Sequence, residues 1–134
     1  MDGVRRTCFT LQRDPTEARE ARQLVARACD GLARDVVEIA QLLTTELVTN
    51  ALDHGAGEIK LGIARSDEDL RIDVADAAPG RPRPAPPSAD QTRGRGMLLV
   101  ESLAAGWGVE PPSEGGKRVW FRLRVGATGG DVRR

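Results

Sequence analysis

The sequence predicts an α+β fold: a two-layer sandwich in which three helices cover one face of a mixed, mostly antiparallel sheet of about five strands. Three features of the chain lead there. Segments 58–65, 70–74 and 118–125 alternate apolar and polar residues, as strands with one buried face do. Two longer segments carry apolar residues at helical spacing, each behind a capping-box pattern. The order is strand, two helices, hairpin, loop, helix, hairpin, which keeps most strands and helices apart.

The elements follow in order. Residues 5–11 read as a short strand at a sheet edge. Asp14-Pro15-Thr16-Glu17 opens a helix: Asp14 caps, Pro15 suits the first helical position and Glu17 closes the box. Ala18, Ala21, Leu24, Val25, Ala28 and Leu32 recur at helical spacing, and Gly31 stops the helix. Asp35 and Glu38 repeat the box. The second helix runs through Ile39, Leu42, Leu43, Leu47, Val48, Ala51 and Leu52 to Gly55, apolar most of the way round and therefore largely buried. Residues 58–65 and 70–74 form a hairpin around the polar turn 66–69. Five prolines between Pro79 and Pro87 make a long loop, the kind that serves as a lid or stays disordered. After Gly94 and Gly96, Met97, Leu98, Val100 and Leu103 form a short helix on the sheet. Residues 107–109 and 118–125 close the fold, with Val119, Phe121, Leu123 and Val125 on one face. One domain over 5–125 and a frayed tail over 126–134 are expected.

Composition narrows the function classes. The 20 basic residues balance the 20 acidic ones, which removes the usual electrostatic argument for nucleic acid or an anionic membrane. All the basic residues except Lys60 and Lys117 are arginine. Aromatic residues make up 3% of the chain, so aliphatic side chains must fill the core. Cys8 and Cys29 are far apart, and a single His cannot complete a zinc cluster with them. With neither a signal-like nor a membrane-spanning run, the chain reads as cytoplasmic.

Three clusters stand out. Glu46, Asn50 and His54 lie four residues apart on one line of the second helix, with Asp53 beside it. Asp76 and Gly80 stand where a strand enters the loop, and Gly94 and Gly96 stand where a helix begins. Singly, each has a plain structural explanation: a solvated helix face, a turn, a hinge. Together they look like a site for an anion, because a Gly-x-Gly segment opening a helix offers backbone N–H groups and a positive dipole end. The segment is not a P-loop, since no Lys-Ser/Thr pair follows. Nor is it a dinucleotide fingerprint, since Leu99 occupies the third glycine position.

In that order Glu46-x-x-x-Asn50-Ala51-x-x-His54, Asp76-x-Ala78-x-Gly80 and Arg93-Gly94-Arg95-Gly96-Met97 resemble the asparagine box and two glycine boxes of the gyrase/histidine-kinase (GHKL) ATPase superfamily. The small stand-alone branch similar to bacterial anti-sigma factor serine kinases matches best, and Gly115-Gly-Lys-Arg-Val-Trp-Phe121 is similar to its closing strand. The resemblance implies the Bergerat ATP-binding fold and a kinase that uses ATP and Mg²⁺ to phosphorylate serine. It implies regulation of transcription by partner switching between a sigma factor and an anti-anti-sigma (STAS-type) protein. It also implies that Glu46 is the base, that Asn50 binds magnesium, and that Asp76 accepts the adenine amino group while Gly80 passes close to the base. Gly94, Arg95, Gly96 and Met97 would line the phosphates, with Arg93 or Arg95 adding charge and Asp53 and His54 in support. His54 as a phospho-acceptor fits less well, since no dimerisation helix pair precedes it.

Three positions depart from the pattern. Ala78 replaces the first glycine of its box, Arg118 beside Lys117 stands where a Thr is often found near Asp76, and the loop over 81–92 is short and proline-rich. The alternative to a kinase is a nucleotide-responsive binding module that sequesters its partner; a plain ATPase or part of a split histidine kinase is a weaker option. The sequence is compatible with a homodimer through a sheet edge or a helix.

Overall fold

The computed structural model describes residues 3–78, 98–111 and 115–126. β1 (Arg5–Leu11) leads to α1 (Glu17–Ala28). The helix starts at Glu17 rather than Pro15, and the expected capping box does not close. Asp14 Oδ1 accepts hydrogen bonds from the Thr16 N–H and hydroxyl, both 2.9 Å, and these hold its carboxyl below the usual range. Glu17 Oε1 instead accepts from the Gln12 N–H at 3.2 Å.

α2 (Arg34–His54) follows a turn in which Gly31 takes φ +88°. The second expected box also fails to form. The extended backbone that a cap requires falls at Ala33 (φ −61°, ψ 145°), so Asp35 lies inside the first turn and acts only through its charge on the positive helix end. The two helices pack as a pair, held at their polar edge by Gln41 Nε2 donating to Arg22 O (3.1 Å) and Arg22 Nη1 donating to Thr45 Oγ1 (3.3 Å).

β2 (Ile59–Arg65) and β3 (Asp69–Asp76) form the expected hairpin. Burial alternates along β3, with Leu70, Ile72, Val74 and Asp76 inward. Residues 98–103 form α3. Val100 is its buried anchor, while Leu98 and Leu103, expected on the sheet, are 59% and 40% exposed. Around a helix Leu98 and Val100 point to nearly opposite sides, so both cannot face the sheet, and Leu99 takes the second inward place. β4 (Gly106–Glu110) and β5 (Lys117–Arg124) complete the chain as a hairpin.

The sheet order is β1-β2-β3-β5-β4, every pairing is antiparallel, and β1 is an edge as expected. The core lies between the sheet and the helices. Phe121, its largest fully buried side chain, shares one cluster with Leu43, Leu47 and Val48 of α2, Val25 of α1 and the inward aliphatic residues of β2 and β3. Cys29 belongs to this core and burial pushes its thiol up, whereas Cys8 is exposed. On the other face of the sheet Arg71 stacks 4.7 Å over the Trp120 ring and pairs with Glu110 at 2.8 Å. Asp73 there pairs with Arg118 at 3.6 Å; burial pushes its carboxyl up, against the pull of the Arg118 and Arg71 guanidiniums. No helix among the described residues is long and apolar enough to cross a membrane. Gly126 is the last described residue, so the rest of the expected tail over 126–134 lies outside them.

Candidate functional site

The polar line on α2 divides by depth. The helix buries Ala40, Leu43, Thr44, Leu47, Val48 and Ala51. Glu46 and Asn50 flank that stripe and are half-buried, while Asp53 and His54 in the last turn are exposed. The first pair thus sits at the boundary between core and solvent, where a polar group can meet a ligand without being desolvated alone.

The end of α2 is fastened by a residue with no sequence signal. The Arg13 guanidinium donates to Ala51 O (2.8 Å), Leu52 O (2.9 Å), Gly55 O (3.3 Å) and Gly57 O (3.2 Å). It adds a charged donor to the carbonyls at the helix end, where Ala51 O also accepts from the Gly55 N–H at 2.8 Å, and places a positive charge at the negative end of the helix. Arg13→Ala is expected to lower stability by about 2 kcal/mol, given the strength of hydrogen bonds to a charged donor. A lower urea midpoint at unchanged slope would register this.

Behind that cap the 55–57 turn meets the end of β3. Ala77 N–H donates to Ala56 O at 2.7 Å. Asp76 Oδ1 accepts from Ala78 N–H at 2.7 Å and more weakly from Ala56 N–H at 3.4 Å. Asp76 Oδ2 faces Lys117 Nζ at 3.5 Å, and the two side chains are 2% and 12% exposed. A Cβ at Gly55 would come within 2.5 Å of this carboxylate, and one at Gly116 (φ +88°) would fall on the Asp76 carbonyl oxygen. Two glycines therefore let helix end and strand close around one buried acid.

The expected position of Arg118 is corrected here. Arg118 does not stand beside Asp76. The register pairs Asp76 with Lys117 and Ala75 with Arg118, so Arg118 turns to the opposite face and meets Asp73. Ala78 introduces no backbone strain, since no described residue other than glycine has positive φ, and its N–H holds the Asp76 carboxylate. Gly80, Arg93, Gly94, Arg95, Gly96 and Met97 lie outside the described residues, as does most of the proline-rich loop.

The arrangement brings a half-buried carboxylate and amide on α2 to the same end of the sandwich as a buried, doubly anchored carboxylate on β3. Among the described residues no group of three His, Cys, Asp or Glu side chains could hold a metal ion alone. A search of curated proteins found no significant match. The family model described as the histidine kinase-like ATPase domain matches residues 11–123, a span that contains α1, α2, β2, β3 and β4, all of β5 but Arg124, and only Leu11 of β1. The chain therefore belongs to the histidine kinase-like ATPase domain family, a GHKL-type ATP-binding domain.

Proposed function

We propose that this chain is an ATP- and Mg²⁺-dependent protein-serine kinase that acts in the cytoplasm as an anti-sigma regulatory factor. The observation that carries the reading is the keyed junction between α2 and β3: Glu46 and Asn50 stand on the helix whose Gly55 end closes on Asp76. The donor set fits the nucleotide. A buried carboxylate fixed by backbone N–H groups accepts an exocyclic amine. An amide oxygen is a hard ligand that suits magnesium when phosphate oxygens and water complete the shell. Magnesium, when bound there, would neutralise charge on the phosphates. Glu46 would take the proton of the attacking serine hydroxyl, and Asn50 would orient the metal. The motif order supports a sigma factor and an anti-anti-sigma protein of the STAS type as partners, the latter carrying the acceptor serine.

One observation favours the second reading, a non-enzymatic binding module. The Lys117 ammonium already occupies Oδ2 of Asp76 and would compete with the base. Calorimetric titration with ATP and ADP in the presence of magnesium separates the two, followed by mass spectrometry after incubation with ATP and candidate partner proteins. Phosphoserine on a partner supports the kinase. Nucleotide binding without transfer supports the module, and no binding at all leaves only a protein-binding role.

A further inference from the structure

All three helices bury residues in the core on one face of the sheet, so among the described residues the other face carries no covering layer. Strand register decides what lies there. Outward residues run across the strands in rows: Arg6, Ala64 and Arg71 in one, Cys8, Gly62 and Asp73 in the next, then Ala75 with Arg118. In the first two rows β2 contributes only Ala64 and Gly62, while longer side chains stand on its neighbours. The result is a trough of about 390 Å³ above β2, lined by Arg6, Arg71, Asp73, Arg118 and the exposed Cys8.

We propose that this face docks an acidic protein segment, and that the trough receives one of its carboxylate side chains. Three guanidiniums line the trough against one carboxylate, and all three pull on the Asp73 carboxyl. Two of them are already paired: Arg118 Nε stands 3.6 Å from Asp73, and Arg71 Nη2 stands 2.8 Å from Glu110. Arg6 forms no ion pair among the described residues, so positive charge stays in excess even with Glu110 counted. A guanidinium has five N–H donors, and Arg71 and Arg118 keep some beyond their present pairs. A carboxylate accepts two such donors in parallel, which gives it a firm seat where a cation is repelled. Arginine and tryptophan, which meet here as Arg71 and Trp120, are also enriched where proteins meet.

The other occupants fit less well. A second copy docked symmetrically would bring two faces with the same excess charge together. A nucleic acid carries a charge at every nucleotide and would have to pass Asp73 and Glu110, opposite which a protein segment can place neutral residues. Base stacking also lacks its platform, because Arg71 already covers the Trp120 ring at 4.7 Å.

The test uses the full chain and two synthetic peptides, one of alternating Glu and Ala and one of alternating Lys and Ala. The reporter is the rate of thiol modification at Cys8; Cys29 is buried, so Cys8 reacts first. At low salt the Glu–Ala peptide is expected to slow that modification severalfold at saturation, and the Lys–Ala peptide to leave it unchanged. Arg6→Glu should weaken the Glu–Ala peptide by about 10–100-fold, the value of a hydrogen bond to a charged group. Arg19→Glu, the same charge change on an exposed residue of α1, should cost less than about twofold, because the intervening solvent screens it. No protection of Cys8 overturns the inference, and so do equal losses in the two variants, which would reduce the effect to net charge. Protection that grows with protein concentration alone assigns the face to a second copy. Equal protection by an oligothymidylate of the same charge assigns it to polyanions in general, and either result overturns the acidic segment. The wild-type measurement decides the matter even if a variant does not fold.

Discussion

Glu46→Gln is expected to lower phosphoryl transfer to the partner's serine by about 10²–10⁴-fold, the usual contribution of a positioned general base. ATP affinity should stay within a few-fold. The substitution keeps shape and hydrogen-bonding reach but removes the ability to take a proton. Glu46 is half-buried on α2, whereas the Asp76 carboxylate that would hold the base belongs to β3, so binding and chemistry should separate. Single-turnover transfer measured by mass spectrometry, with calorimetry on the same sample, distinguishes the two. Full transfer activity in the variant would refute the assignment of Glu46, and lost ATP binding would make it a binding residue instead.

The second large effect is structural. Gly116→Ala should destabilise the fold by about 3–5 kcal/mol, far more than Gly31→Ala at about 1–2 kcal/mol. Both glycines take φ +88°, so the cost of a left-handed backbone is shared. They differ in space. A Cβ at Gly31 has nothing within 4 Å, whereas one at Gly116 falls on the Asp76 carbonyl and crowds Ala77 Cα at 3.1 Å. Relieving that clash moves the end of β3 and with it the Asp76–Lys117 pair. Urea denaturation of both variants tests the difference, and nucleotide titration should show Gly116→Ala alone impaired. Equal destabilisation would mean that backbone conformation, not close approach, is what demands glycine at 116.

Much of this was legible because period and burial agree. Leu70, Ile72 and Val74 alternate with Arg71 and Asp73, and the structure buries the first set against the helices. Helix starts were less legible. Asp14 to Glu17 and Asp35 to Glu38 both match a capping box, yet the extended backbone that defines a cap is set by how the preceding turn packs, and at α2 it fell on Ala33. The Arg118 expectation had a signal against it. Val119, Phe121 and Leu123 point inward, so parity alone puts Lys117 with them and Arg118 on the other face.

By itself the sequence determined the α+β class, the edge position of β1, the hairpins and the helix that carries Glu46 and Asn50, because each depends on spacing within a few residues. Only the tertiary structure decided which polar residues share the site. Arg13 reaches carbonyls at Ala51 to Gly57, and Lys117 meets Asp76 from a strand far along the chain. Long flexible side chains find such partners through strand register and helix placement, and those are settled by burying Phe121 and its aliphatic neighbours between sheet and helices.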